Sequence, residues 1–240
     1  MKENTTHTAN DNAAKNRHRG NFLIFLGLVM IIGALGLTAY NIWDSNRAEQ
    51  AANEISIALI EKIKDDDSAM QVPMFDPATP MPTEVIDGIE YIGILEIPGL
   101  NLTLPVTKEW DYDLLKNAVC RFIGSYYSDD LVICGHNYTK VFSPIKWIDI
   151  GEDVYLTTVD GMMIHYTVTN RETLEPTDVE AFISNIHNSP TSTMDWDMTL
   201  FTCNIGGQTR CAVRCSRVDG FDSQTGTGWT EWQSETEGNE

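Results

Sequence analysis

The sequence predicts a mainly β domain, closed into a β-barrel of eight short strands with a few short helices, set behind one N-terminal membrane-spanning helix. Three observations carry this expectation. Phe22 to Tyr40 is an apolar run without a charge. From about Glu84 the chain breaks into short stretches rich in β-branched and aromatic residues, each bounded by Gly, Pro, Asn or Asp. Few segments between them show a helical period, and that combination is typical of closed β architectures.

Residues 1–20 are polar and lack any apolar period, so the prediction is an unstructured tail. Residues 21–43 form the anchor. The run from Phe22 to Tyr40 is long enough, at about 1.5 Å per residue, to cross a hydrocarbon layer of about 30 Å. Lys15, Arg17 and Arg19 precede it and Asp44 follows. That asymmetry puts the N-terminus in the cytoplasm and everything after Asp44 outside the cell. A cleaved signal would have a shorter apolar core, and Leu37 stands where a small residue is wanted before a cut.

Residues 44–86 read as a stalk and linker. Ala51, Ile55, Ala58, Leu59 and Ile63 share one helical face over 44–66, with Asp44 or Ser45 as cap. Residues 70–83 contain four prolines and cannot continue a helix. The main domain is predicted over 87–218, with strands at 89–97, 101–106, 130–135, 153–158, 162–170, 198–203 and 209–217. Short helices are expected at 110–118 and 177–187, the latter capped by Thr177 or Asp178 with Glu180 in its first turn. Residues 219–240 are acidic and rich in Gly, Ser and Thr, and a mobile tail is expected there.

The chain has 35 acidic and 16 basic residues, a net charge of −19. Beyond the anchor the balance is 12 basic against 33 acidic, a net of −21. Such a surface repels a phosphate backbone, so nucleic acid is not an expected partner. Five cysteines, an odd number on an exported domain, leave at least one free or paired outside the chain. No Cys-x-x-Cys pair and no zinc spacing occurs. Cys211 and Cys215 on one strand would lie about 13 Å apart, too far for a disulfide.

Three residues could carry chemistry. Cys203 ends the apolar strand Thr199-Leu200-Phe201-Thr202-Cys203 and meets a loop with Gly206 and Gly207. His136 follows a strand in Ile133-Cys134-Gly135-His136-Asn137. One imidazole can both activate a thiol and protonate a leaving amine. If 204–209 is a hairpin turn, Arg210 directly faces Cys203, where its guanidinium would favour thiolate and hold negative charge on a carbonyl oxygen. In that register Arg214 faces Thr199, about 13 Å along, and Arg217 points to the other face, so neither is expected to serve the chemistry. Taken singly, a strand Cys is usually a small hydrophobe and a lone His a packed one. His165 and His187 fit that ordinary role.

Thr199-Leu200-Phe201-Thr202-Cys203 resembles the Thr-Leu-x-Thr-Cys motif of the sortase family, and Gly135-His136-Asn137 resembles its Gly-His-Asn variant. Thr209 to Cys215 looks like the Arg-bearing strand that follows, and Gly93 to Pro98 like the opening strand. Gly151 to Tyr155 resembles the stretch after the His. The likeness spans roughly residues 88–218. It implies Cys203 as nucleophile, His136 as general acid/base, Arg210 as oxyanion or substrate stabiliser, and Thr202 as a residue positioning the acyl group. The implied reaction is cleavage of an LPXTG-like sorting motif through a thioacyl-enzyme, resolved by an amine of a cell-wall precursor or pilin. Subclass leans to class B on the Gly-His-Asn motif and the helix-bearing segment before 198. Two alternatives are a thiol peptidase that only hydrolyses and an anchored, non-catalytic binding domain. No cofactor is called for. Glu175, Asp178 and Glu180 are the loop acids from which a calcium site could be made, against their ordinary use at a helix start.

External protease applied to intact protoplasts should digest the chain beyond Asp44 and spare the N-terminal segment, as read by mass spectrometry. A mature N-terminus near Tyr40 would instead mark a cleaved signal.

Overall fold

The computed structural model describes residues 5–65, 79–116 and 118–218. The predicted tail at 219–240 and the prolines at 73 and 77 lie outside the described residues. The chain divides into two compact units, residues 1–46 and 47–240.

The first helix, α1, runs Thr5–Asp65 and belongs to both units. Residues 21–63 hold a stretch long and apolar enough to cross a membrane. From Phe22 to Ile42 its side chains are exposed, Leu37 at 73%, and an all-apolar helix with no protein around it is suited to lipid. The helix runs from Thr5, so residues 5–20 are helical where the sequence suggested an unstructured segment. Ala9, Ala13 and Ala14 are strong helix formers, and extending a formed helix needs no new nucleus.

In the second unit nine strands make one sheet: β1 (Glu84–Ile86), β2 (Ile89–Ile97), β3 (Leu102–Thr107), β4 (Val119–Ile123), β5 (Leu131–Cys134), β6 (Asp153–Thr158), β7 (Met163–Leu174), β8 (Met198–Cys203) and β9 (Arg210–Arg217). Their order is β1-β2-β3-β4-β5-β8-β9-β7-β6, and β6 pairs back onto β2. Eight strands therefore close a barrel, with β1 attached outside the ring. The β3–β4 and β5–β8 pairs are parallel and the rest antiparallel. Period-two alternation fills the interior: Val154 and Leu156, Ile164, Tyr166 and Val168, Met198 and Leu200, and Val213 all join one buried cluster.

Two strands went unforeseen. β1 meets β2 through Asp87 and Gly88, both at positive φ, the two-residue turn that an Asp-Gly pair favours; that dipeptide was the available signal. β4 carries Arg121 at its centre and exposed Phe122 and Ile123, so no apolar alternation announced it. β7 continues past Asn170 because an irregularity between Val168 and Asn170 absorbs one residue and lets 171–174 pair with β9. The helix expected at 110–118 is a single 3₁₀ turn, Leu114–Lys116, and that at 177–187 is α2 (Val179–Ile183), capped by the Asp178 carboxylate accepting from the Ala181 N–H.

The end of α1 packs on the barrel rather than standing clear of it. Leu59 is fully buried in a cluster with Tyr91, Ile94 and Ala118, flanked by Ile55, Ile60 and Ile63. Lys140 and Glu49 form an ion pair at 3.0 Å across the same contact. Truncating Leu59 to Ala should cost about 2–5 kcal/mol of stability, measurable by urea unfolding of the full chain in detergent. A helix serving only as a spacer would leave the midpoint unchanged.

Candidate active site

The site is built where β5, β8 and β9 end on one rim of the barrel. β5 and β8 run in parallel with Ile133 beside Leu200 and Cys134 beside Phe201. Two bonds carry that register past the strand ends: the Gly135 N–H donates to the Phe201 carbonyl at 3.1 Å, and the Thr202 hydroxyl donates to the Gly135 carbonyl at 2.8 Å. Continued by two residues, the same count would set His136 level with Cys203. On the other edge of β8 the antiparallel partner of Cys203 is Arg210, and that of Thr199 is Arg214. The hairpin register predicted from the sequence is thus the register observed.

Alternation decides what faces out. Leu200, Cys211 and Val213 point into the barrel, so Phe201 and Cys203 point to the outer face with Arg210. There Phe201 packs edge-on to Phe122 at 5.4 Å and against Phe182 at 5.0 Å. Leu114, Leu115, Cys120 and Cys134 continue the patch. An apolar wall therefore leads along β8 to the thiol.

The His136 ring is held between two tyrosines: edge-to-face with Tyr112 at 5.3 Å and stacked on Tyr138 at 5.0 Å. Its carbonyl accepts from the Phe142 N–H at 3.1 Å. The preceding Gly135 leaves no room for a side chain, since an added Cβ would lie 2.7 Å from the Phe142 ring and 3.0 Å from Val119. Arg210 Nη1 donates to the Gly207 and Thr209 carbonyls at 2.9 and 3.2 Å, which leaves Nε and Nη2 to donate elsewhere. The loop turns at Gly206 and Gly207, both at positive φ.

Thr202 is 1% exposed and its hydroxyl donates to the Gly135 carbonyl, so it fastens two strand ends. Arg214 faces Thr199, as the register requires, and is buried at 1% exposure. Its Nε donates to Glu172 at 2.7 Å, Nη1 to the Thr199 hydroxyl at 2.7 Å and to Phe182 O at 3.3 Å, and Nη2 to Ala181 O. It lies over the Trp196 ring at 5.2 Å. Its role is to tie α2 and β7 to the outer face of β8 and β9. Removing one partner of a buried pair costs about 3–5 kcal/mol, so its loss acts through folding.

Lys146 and the two tyrosines were not singled out from sequence. Lys146 Nζ donates to the Asn137 side-chain oxygen. Burial lowers its pKa, opposed by the neighbouring Cys211 and Cys203 sulfurs. His165 bonds Asp153 at 2.7 Å and His187 bonds Asp197 at 2.8 Å, both away from the site. Asp178 caps α2 and Glu180 accepts from Ser184. Among the described residues, no group of three His, Cys, Asp or Glu converges to hold a metal.

All five cysteines are free thiols. Burial raises the pKa of Cys120, Cys134, Cys211 and Cys215, whereas Cys203 is partly exposed. Iodoacetamide at neutral pH should therefore label Cys203 first in the folded protein, and the other four only after denaturation, as read by peptide mapping.

The sortase domain family matches residues 95–218. Sortase D of Bacillus subtilis is 29% identical over 160 residues, 62% of this chain and 74% of that protein. Among solved structures, sortase C of Streptococcus pneumoniae is 22% identical with a TM-score of 0.48, covering 67% of this chain and 88% of its own. Sortase C of Clostridium perfringens is 22% identical with a TM-score of 0.45, covering 72% and 95%.

Proposed function

The chain belongs to the sortase family, and on that premise we propose that it is a membrane-anchored cysteine transpeptidase with Cys203 as nucleophile, His136 as general acid/base and Arg210 as the oxyanion donor. The observation that carries this reading is the double pairing of β8, which presents Arg210 on one edge of Cys203 and the end of β5, with His136, on the other. The donor is an LPXTG-like sorting motif on an exported protein, laid along the apolar wall of Phe122, Phe182 and Phe201. The acceptor is an amine of a cell-wall precursor or pilin. The apolar helix from Phe22 to Tyr40 holds the enzyme in the membrane with its catalytic domain outside.

In the first step the Cys203 thiolate attacks the carbonyl carbon before the scissile bond. Negative charge forms on the carbonyl oxygen within reach of an Arg210 N–H. His136 delivers a proton to the leaving amine, and the C–N bond breaks to leave a thioester. An incoming neutral amine then attacks that thioester, His136 takes its proton, and the thiolate leaves. The covalent intermediate divides one hard transfer into two easier ones and keeps the energy of the cleaved peptide bond.

The test is to offer the full-length protein in detergent micelles a panel of sorting-motif peptides and look for a mass adduct on Cys203. Adduct formation should disappear in Cys203→Ala and fall severely in His136→Ala. Arg210→Ala should lose roughly 10²–10³ in rate, with Arg210→Lys only partly restoring it because a point charge lacks the planar fork. A pure peptidase would release product at one rate with or without amine. A binding domain would form no adduct at all.

A further inference from the structure

Past the end of β8, with inward-facing Cys211 in its lining, the rim holds a pocket of about 420 Å³. Its walls include Lys146 and Trp147, Arg171 and Glu172 of β7, and Asn204 and Ile205 of the β8–β9 loop. Trp147 and Ile205 are 75% and 86% exposed, so the mouth is apolar and open. Its charge is unusual for this molecule. In a chain with 35 acidic and 16 basic residues, two cations meet here with no carboxylate partner of their own among the described residues. Lys146 donates to the Asn137 carboxamide, and Arg171 Nη1 to the Ile148 carbonyl at 2.7 Å. The one acid in the wall, Glu172, is already paired with buried Arg214 at 2.7 Å.

The pocket's place along β8 separates it from the donor wall. The aromatic patch lies before Cys203 in the chain, at Phe201, whereas the pocket begins after it, at Asn204. A transfer between two substrates needs two approaches to one carbonyl carbon, and Lys146, whose charge interacts with the sulfurs of both Cys211 and Cys203, joins this pocket to the thiol. Resting on the transpeptidase reading above, we propose that this pocket receives the acceptor and selects an amine whose carrier also bears an oxyanion, a carboxylate or a phosphate, held by Arg171 and Lys146. The planar fork of an arginine matches an oxyanion with two parallel hydrogen bonds. Nearby cations also disfavour the ammonium form of the incoming amine, so the neutral nucleophile is the species delivered. It attacks the thioester carbon, a C–N bond forms as the C–S bond breaks, the amine proton passes to His136, and the Cys203 thiolate is released.

The experiment uses two matched pairs of small amines: glycylglycine against glycylglycinamide, and O-phosphoethanolamine against ethanolamine. Binding to the full-length Cys203→Ala protein in micelles is followed by ligand-observed NMR, which requires no turnover. At least one oxyanion-bearing member should bind about tenfold more tightly than its neutral counterpart, and the pair that shows the difference identifies carboxylate or phosphate as the source. The preference should collapse in Arg171→Gln and Lys146→Gln and be partly retained in Arg171→Lys, which keeps the charge without the fork. With the active protein and any donor that acylates Cys203, the same amine should shift the product ratio from hydrolysis toward transfer. Equal binding within both pairs overturns the proposal, even where acylation succeeds. Failure of every donor to acylate Cys203 counts instead against the transpeptidase reading, while the binding comparison still decides what the pocket holds.

Discussion

β8 is hydrogen-bonded on both edges, parallel to β5 and antiparallel to β9, and the site depends on that double pairing. The ends of β5 and β8 and the start of β9 lie side by side on one rim, which brings the Cys203–Arg210 hairpin alongside the segment that carries His136. A slip of one residue on either edge would turn Arg210, or the end of β5, to the opposite face. Barrel closure prevents the slip. The ring from β2 through β6 leaves no free edge within it, and the interior cluster of Leu200, Val213 and Ile133 would be driven outward by any change of register.

Polar contacts placed next to the site reinforce what the core dictates. Thr202 closes the β5–β8 seam one residue before Cys203, through a buried hydroxyl whose bond strengthens where water is excluded. Arg214 does comparable work on the outer face, where four acceptors and one aromatic ring hold α2 over β8 and β9. The cost of burying a guanidinium is offset only because all of these partners are present together. Gly135 allows Phe142 to pack directly beneath the strand end, so the backbone that carries His136 is held from below as well as from the side.

The rim separates two chemical surroundings within a few residues. One is apolar and aromatic, and runs along β8 to the thiol. The other is cationic and lies beyond it. The outer surface of an acidic protein tends to draw cations into pairs with its carboxylates. Lys146 and Arg171 instead bond to a carboxamide and a backbone carbonyl. A site that must accept two different substrates in succession gains specificity when the two entrances differ in polarity, since each then disfavours the other's ligand.

The local patterns were sufficient for much of this. Period-two alternation in 153–158 and 198–203 marks strands to the residue, and the uncharged run from Phe22 marks a helix of membrane length, because both signals depend only on neighbours along the chain. Thr199 to Cys203 and Gly135 to Asn137 pointed to the candidate residues by their likeness to a family, and the spacing of Cys203 and Arg210 around a short turn made their pairing calculable. β4 was hidden because its strand character comes from its partners β3 and β5 rather than from alternation of its own. The sequence placed Thr202 beside the nucleophile but could not say that its hydroxyl points into the protein, toward Gly135. Nor could it show that Arg214 is buried, that Tyr112 and Tyr138 clasp His136, or that Lys146 and Arg171 converge. Apart from the stacking of Tyr138 on its near neighbour His136, those facts rest on contacts between residues tens of positions apart, and only the closed barrel brings such residues together.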